Sequence, residues 1–209
     1  VIYENDRTRY RSGVTFEQIA SIYELDKTIR NSVMAAMQDL EEHFKELSAD
    51  VVAHSFGTHQ DDYLKFRNYQ NKRKSIEKFR LGPILDTLRA QLQSPKDPIH
   101  HYYSTYGIVP PWILFKSVYF STMVNFIDQF KVPQQTALMR LLFDYEHMNM
   151  PESNARMLMM DLLFVCMEFR NNAAHGGRMY NFLPHNVIRA SEILGSNYTD
   201  FNPQYTDLI

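Results

Sequence analysis

Arg170, Asn171, His175 and Arg178 fall within nine residues of one another in the stretch "FRNNAAHGGRMYNF", residues 169–182. A neutral imidazole near pH 7 takes or gives a proton. A guanidinium stays charged and holds a phosphate through several charge-assisted hydrogen bonds. An amide orients either partner or accepts a donor from a ligand. Together these groups suit recognition or cleavage of a phosphodiester. A two-metal nuclease needs a clustered carboxylate set instead, and Asp161 and Glu168 upstream are two scattered acids.

The spacing has physical content. If the helix continues to residue 175, Asn171 and His175 lie four apart on one face. Arg170 precedes His175 by five, about 140 degrees around the helix. Side-chain reach or a second subunit has to close that separation. Gly176-Gly177 favour a turn or close packing after the histidine. Plain structural roles remain open beside the chemical ones: a solvated helix-end His175, a salt-bridged Arg170, an Asn171 bonded to the helix end, and an Arg178 that caps carbonyls. Tyr180 and Asn181 read as architectural.

These groups need a scaffold, and the chain is rich in helical signals. It holds 209 residues, 44% of them apolar, enough for one sizeable core. Aromatic residues are plentiful and glycines few, which favours helices over a sandwich or barrel. Thr15, with Gln18 three residues on, forms a capping box for a short helix. A long pattern follows in Leu25, Ile29, Val33, Met37, Leu40, Phe44, Leu47 and Val51, at three- and four-residue intervals. Ile76, Phe79, Ile84, Leu88 and Leu92 mark a second helical face, interrupted by Gly82-Pro83. "SPKDPIHHYYSTYG" reads as a connection. Pro110-Pro111 open a central helix in which Trp112, Phe115, Tyr119, Met123, Phe126 and Phe130 line one side. "QQTALMRLLFDYEHM" predicts a short helix. Ser153 is a candidate cap for the apolar helix ending at the motif, and "LPHNVIRASEILG" predicts one more helix. The expected organisation is all-α: an N-terminal arm over residues 1–14 and a single helical domain over 15–209.

Charge and cysteine count narrow the classes. The formal net charge is -2, so no global attraction to nucleic acid is expected, only a local patch. Residues 61–80 supply one, with seven Lys or Arg among aromatics. Lys65, Arg67, Lys72, Arg73, Lys74 and Lys78 could follow a phosphate backbone while Tyr69 stacks on a base. A solvated helix face is the competing reading. Arg7, Arg9 and Arg11 are weaker candidates of the same kind. Cys166 is the only cysteine, so no intrachain disulfide and no cysteine metal cluster can form. It reads as a small buried apolar residue, and a reducing cytoplasm is expected. His100-His101 lack a regular third ligand. No metal, no cofactor and no membrane span are expected. Val1 and the abrupt final "TDLI" leave room for natural sequence at either end.

The bare arginine-to-histidine spacing is weak, but its neighbours are more specific. Arg170-Asn171, Ala174-His175, Arg178, Met179, Tyr180 and Asn181 resemble the motif of the Abi-like family of abortive-infection proteins, a branch of the HEPN superfamily. "YELDKTIRNSVMAAMQDLEEHFK" is similar to that family's early leucine-aspartate helix, and "IVPPWILFKSVYFSTMVNFI" to its central proline-tryptophan helix. The resemblance covers roughly residues 15 to 182. The chain departs from the family at Tyr180, where tryptophan is common, at Gly176, often polar, and at Lys116, where an acid is common.

The resemblance implies a HEPN-like helical bundle and metal-independent RNA cleavage. His175 would assist proton transfer at the attacking 2'-hydroxyl or the leaving 5'-oxygen. Arg170 would stabilise charge on the phosphoryl oxygens, Asn171 would orient RNA or His175, and Arg178 would bind a neighbouring phosphate. Products would carry 2',3'-cyclic phosphate and 5'-hydroxyl ends. A homodimer would face two motifs across one RNA. Phage defence is the implied setting, with an antitoxin or defence partner possible. The alternative is a noncatalytic RNA-binding or partner-regulated scaffold.

Overall fold

Thr15 starts the longest element of the molecule, helix α1 (Phe16–Phe56). Its hydroxyl accepts from the Gln18 backbone at 3.3 Å, and the Gln18 side chain accepts from the Thr15 N–H at 3.1 Å. The capping box therefore opens one continuous 41-residue helix, not a short helix followed by a long one. It is about 60 Å long and ends at Gly57, whose N–H donates to Ala53. A computed structural model of the chain describes residues 13–189 and Ile193, with the backbone alone of 2–4 and 7–9. The backbone of Ile2–Glu4 (β1) and Arg7–Arg9 (β2) pairs antiparallel, with Tyr3 opposite Thr8, so the expected arm contains a hairpin. The side chains of Arg7 and Arg9, and all of Arg11, lie outside the described residues, as do residues 190–192 and 194–209.

Seven helices follow: α2 (Gln60–Tyr63), α3 (Leu81–Gln91), α4 (Ile99–Tyr106), α5 (Pro111–Leu114), α6 (Phe120–Asp128), α7 (Val132–Leu142) and α8 (Glu152–Ala174). The described residues beyond the N-terminal hairpin form an all-α bundle, with α1 packed along α8, α5 and α7, and α6 packed between α8 and α3. No helix among them is long and apolar enough to cross a membrane. The core starts at Phe44 of α1, and Leu25, on the expected stripe, is exposed. The first half of α1 thus runs on beyond the main core.

Several expected elements are rearranged. The central helix is broken: α5 passes into a 3-10 turn (Phe115–Ser117), Val118 and Tyr119 are extended, and α6 restarts at Phe120. A straight helix would turn Phe120 about 140 degrees from Phe115. The break lets both enter the core while Trp112 and Tyr119 face outward. The connection after α3 is not structureless, because α4 lies within it. Residues 183–189 are not helical, correcting that part of the predicted last helix. Pro151, not Ser153, occupies the cap position of α8, and Glu152 in the first turn accepts from Thr136, Arg140 and Arg156.

Tyr63 shows how the interior is tied together. It is fully buried, and its hydroxyl donates to the Val109 carbonyl at 2.6 Å, while its own carbonyl accepts from the Tyr69 hydroxyl at 2.5 Å. Burial pushes both phenols far above their ordinary range. Tyr63→Phe keeps the ring and removes the donor to a buried carbonyl. A destabilisation of about 1–3 kcal/mol is expected, read as a lower urea midpoint at unchanged slope.

Candidate functional site

The helix carrying the motif ends in a Schellman arrangement. His175 is the cap residue, Gly176 adopts a left-handed conformation at φ 73, and Gly177 follows. The Gly177 N–H donates to Asn172 at 2.8 Å and the Gly176 N–H to Ala173 at 3.2 Å, the two bonds that define the motif. The expected turn after the histidine is present. Gly177 also allows a close approach: a Cβ there would lie 1.9 Å from the Asn172 side-chain oxygen.

His175 is exposed at that corner. No hydrogen bond or ion pair among the described residues engages its ring. Asn171 is half-buried one turn earlier, and its carbonyl accepts from the His175 backbone. Its amide does not bond the imidazole within this chain. Arg178 is exposed, and its guanidinium has no ion-pair partner among the described residues.

Arg170 points toward α1. Its Nε lies 3.3 Å from Glu41 Oε2, near enough for charge attraction but without a directed hydrogen bond. The better partner of Glu41 is Lys45, at 2.7 Å. Arg170, Glu41, Lys45 and Lys116 share a polar pocket of about 300 Å³. Within one chain no hydrogen bond or ion pair joins Arg170 and His175. The structure leaves the first half-exposed in a charged pocket and the second open at the helix end.

The loop after the motif is held by residues that sequence reasoning missed. Asp26 of α1 is buried, and its Oδ1 accepts from the backbone N–H groups of Met179 at 2.6 Å and Tyr180 at 3.1 Å. Its Oδ2 accepts from Arg30 at 2.8 Å. Asn172 donates to the Arg178 carbonyl at 2.8 Å. The chain then runs back along α8: Phe182 packs on Phe169, Glu168 accepts from His185 and Asn186, and Asp161 pairs with Arg189. The two upstream acids therefore serve as clamps for this strap. Asp26 lay in the quoted leucine-aspartate segment, which was the available signal for it.

The Arg30 hydrogen bond, reinforced by the Met179 and Tyr180 amides, holds the Asp26 carboxyl below its ordinary value of 3.8. A depressed folded value means that its stabilisation is present above the unfolded value and lost as pH falls through the folded one. Wild-type protein is expected to lose thermal stability below about pH 4, and Asp26→Asn to lose less over that interval. Melting curves between pH 3 and pH 7 measure the difference. Parallel curves for the two proteins would remove Asp26 as an acid-sensitive clamp.

The basic stretch is not a helix face. Residues 64–80 form two 3-10 turns, Phe66–Asn68 and Glu77–Phe79, joined by extended chain. Tyr69 is buried with its ring 4.8 Å from Phe126 and 5.9 Å from Phe130. Its expected stacking on a base is corrected: the ring is only 4% exposed and packs within the aromatic core. Lys72 and Lys74 both pair with Asp128, and Lys65 pairs with Asp62. Arg67, Arg73 and Lys78 are exposed. Arg73 and Lys72 line a shallow basic pocket of about 350 Å³ with Arg80. The patch is on the surface, but three of its seven cations already pair with two carboxylates, Asp62 and Asp128.

Cys166 is half-buried, and burial pushes its thiol above the ordinary value. His100 and His101 are exposed on α4. Among the described residues no three His, Cys, Asp or Glu side chains group so as to hold a metal ion.

A family model described as Abi-like protein matches residues 2–181 of the chain. No curated protein matches it, and no solved structure does.

Proposed function

This chain belongs to the Abi-like protein family, and on that premise we propose that it is a phage-defence protein of the abortive-infection type that acts on RNA as a metal-independent endoribonuclease. The observation that carries the reading is the unengaged His175 imidazole at the helix terminus, with the Arg178 guanidinium three residues on and Arg170 five residues behind. In this reading the fold is HEPN-like.

The chemistry is a transesterification. The 2'-oxygen forms a bond to the adjacent phosphorus, its proton passes to a base, and the bond from phosphorus to the 5'-oxygen breaks as that oxygen is protonated. His175 serves one of these proton transfers. Arg170 neutralises charge that grows on the non-bridging oxygens, and Arg178 holds a flanking phosphate. DNA lacks the nucleophile. Arg170 lies against Glu41 and bonds to no imidazole within one chain, so a homodimer that faces two α8 helices lets the arginine of one copy meet the imidazole of the other.

Purified protein incubated with RNA in chelator, beside a DNA control, tests this. The expected products end in 2',3'-cyclic phosphate and 5'-hydroxyl groups. Products with 5'-phosphates, or cleavage that stops with chelator, would reject the mechanism. One observation favours a second reading: Arg170 is engaged with Glu41. A noncatalytic RNA-binding or partner-regulated scaffold in a defence or toxin-antitoxin complex fits an arginine held in reserve. RNA retained intact by both wild type and His175→Ala would favour it.

A further inference from the structure

A groove of about 520 Å³ opens between the first half of α1 and the loop after α8. Ile19 and Ile22 contribute its apolar lining, and Tyr23, Tyr180, Arg30 and Arg178 its functional groups. Gly176 also lines it, so the groove begins one residue from His175. Its volume is that of an ordinary small-ligand pocket.

We propose that this groove takes the nucleobase of an unpaired RNA nucleotide next to the phosphate that the motif holds. The inference rests on the RNA reading above and deepens it by naming a base subsite. Two features point to this ligand. Tyr23 and Tyr180 line the groove while 59% and 50% exposed. Such rings offer faces on which any base stacks. The net charge of the groove is positive, because two guanidiniums face one carboxylate. That carboxylate, Asp26, is already taken up by Arg30 and two backbone N–H groups, so it offers little to a cationic or donor-rich ligand.

The Tyr180 backbone is fixed by Asp26, which leaves its ring free to act as a wall. Tyr23 sits on a continuous helix, so its position does not depend on the loop. Stacking contacts of this kind contribute about 1–3 kcal/mol per base, which corresponds to roughly 5- to 150-fold in affinity. Backbone contacts by Arg178 add a salt-dependent component that is indifferent to the base.

The test uses wild-type protein and 2'-O-methyl RNA decamers, which bind but cannot be cut. A second decamer carries abasic sugars along the same backbone. Fluorescence anisotropy at low salt gives the affinity of each. Tyr23→Ala and Tyr180→Ala are expected to weaken the base-bearing decamer about 5- to 150-fold and to leave the abasic one unchanged. Tyr23→Phe is expected to bind as wild type, because stacking uses the ring and not the hydroxyl. Equal affinity of wild type and Tyr23→Ala for the base-bearing decamer overturns the subsite while leaving the RNA reading intact. Equal losses on both decamers assign the tyrosines a structural role and also overturn it. A change in particle mass by light scattering in Tyr23→Ala, with RNA affinity unchanged, makes the groove an interface between copies instead. Failure of wild type to bind either decamer removes the RNA reading itself, and the subsite with it.

Discussion

Replacing His175 with alanine is expected to lower RNA cleavage about 10²- to 10⁴-fold and to leave the fold unchanged. The second half of that statement follows from the geometry. The ring is exposed and bonds to no described residue, and the Schellman bonds that end α8 are made by backbone groups. Alanine at the cap position keeps all of them. Circular dichroism and melting temperature should therefore match wild type, so that a lost rate reports lost proton transfer and not lost protein. RNA binding should persist, because phosphate contacts come from arginines. Wild-type cleavage by a folded His175→Ala protein would remove the imidazole from the mechanism.

Arg170→Ala is expected to reduce cleavage about 10²- to 10³-fold, the usual cost of deleting one preorganised donor to a developing oxyanion. Here a structural explanation competes, since Arg170 also lies against Glu41. Glu41→Gln separates the two. It removes the charge that holds Arg170 but leaves the guanidinium available, so it should preserve cleavage or raise it. Lys45 loses its 2.7 Å partner in the same variant, and a modest fall in stability is expected from that change alone. If the arginine were only half of a scaffold ion pair, both substitutions would lower stability and rate alike. Arg170→Lys should fall between wild type and alanine, because an ammonium cannot present the two-pronged donor set of a guanidinium. Single-turnover rates on one RNA, with melting curves for each variant, measure all of this.

Features that depend on a few neighbouring residues were legible beforehand. The Thr15 and Gln18 cap is made by groups three residues apart, and its side chains bond as their types dictate. Gly176-Gly177 announced the end of α8 because a left-handed residue is required there and glycine has no Cβ to oppose it. The break at Val118 was hidden for the opposite reason. An unbroken apolar run satisfies a helical pattern, and only the surrounding core selects which rings must turn inward. Tyr69 misled in the same way: a tyrosine between basic residues looks like a surface platform until its ring is found buried against Phe126 and Phe130.

By itself the sequence determined an all-α bundle, a capping box at Thr15, a long helical pattern after it, and a helix that ends on an imidazole between arginines. Those outcomes rest on local hydrogen bonds, backbone freedom and helical periodicity, all of which act over a few residues. The tertiary structure alone decided that Asp26 grips the backbone of Met179, 153 residues away, that Glu41 engages Arg170, and that a groove lined by two tyrosines opens beside His175. Those contacts join groups that become neighbours only after α1 and α8 pack together. A carboxylate selects its partners by distance in space, and no spacing along the chain encodes that distance.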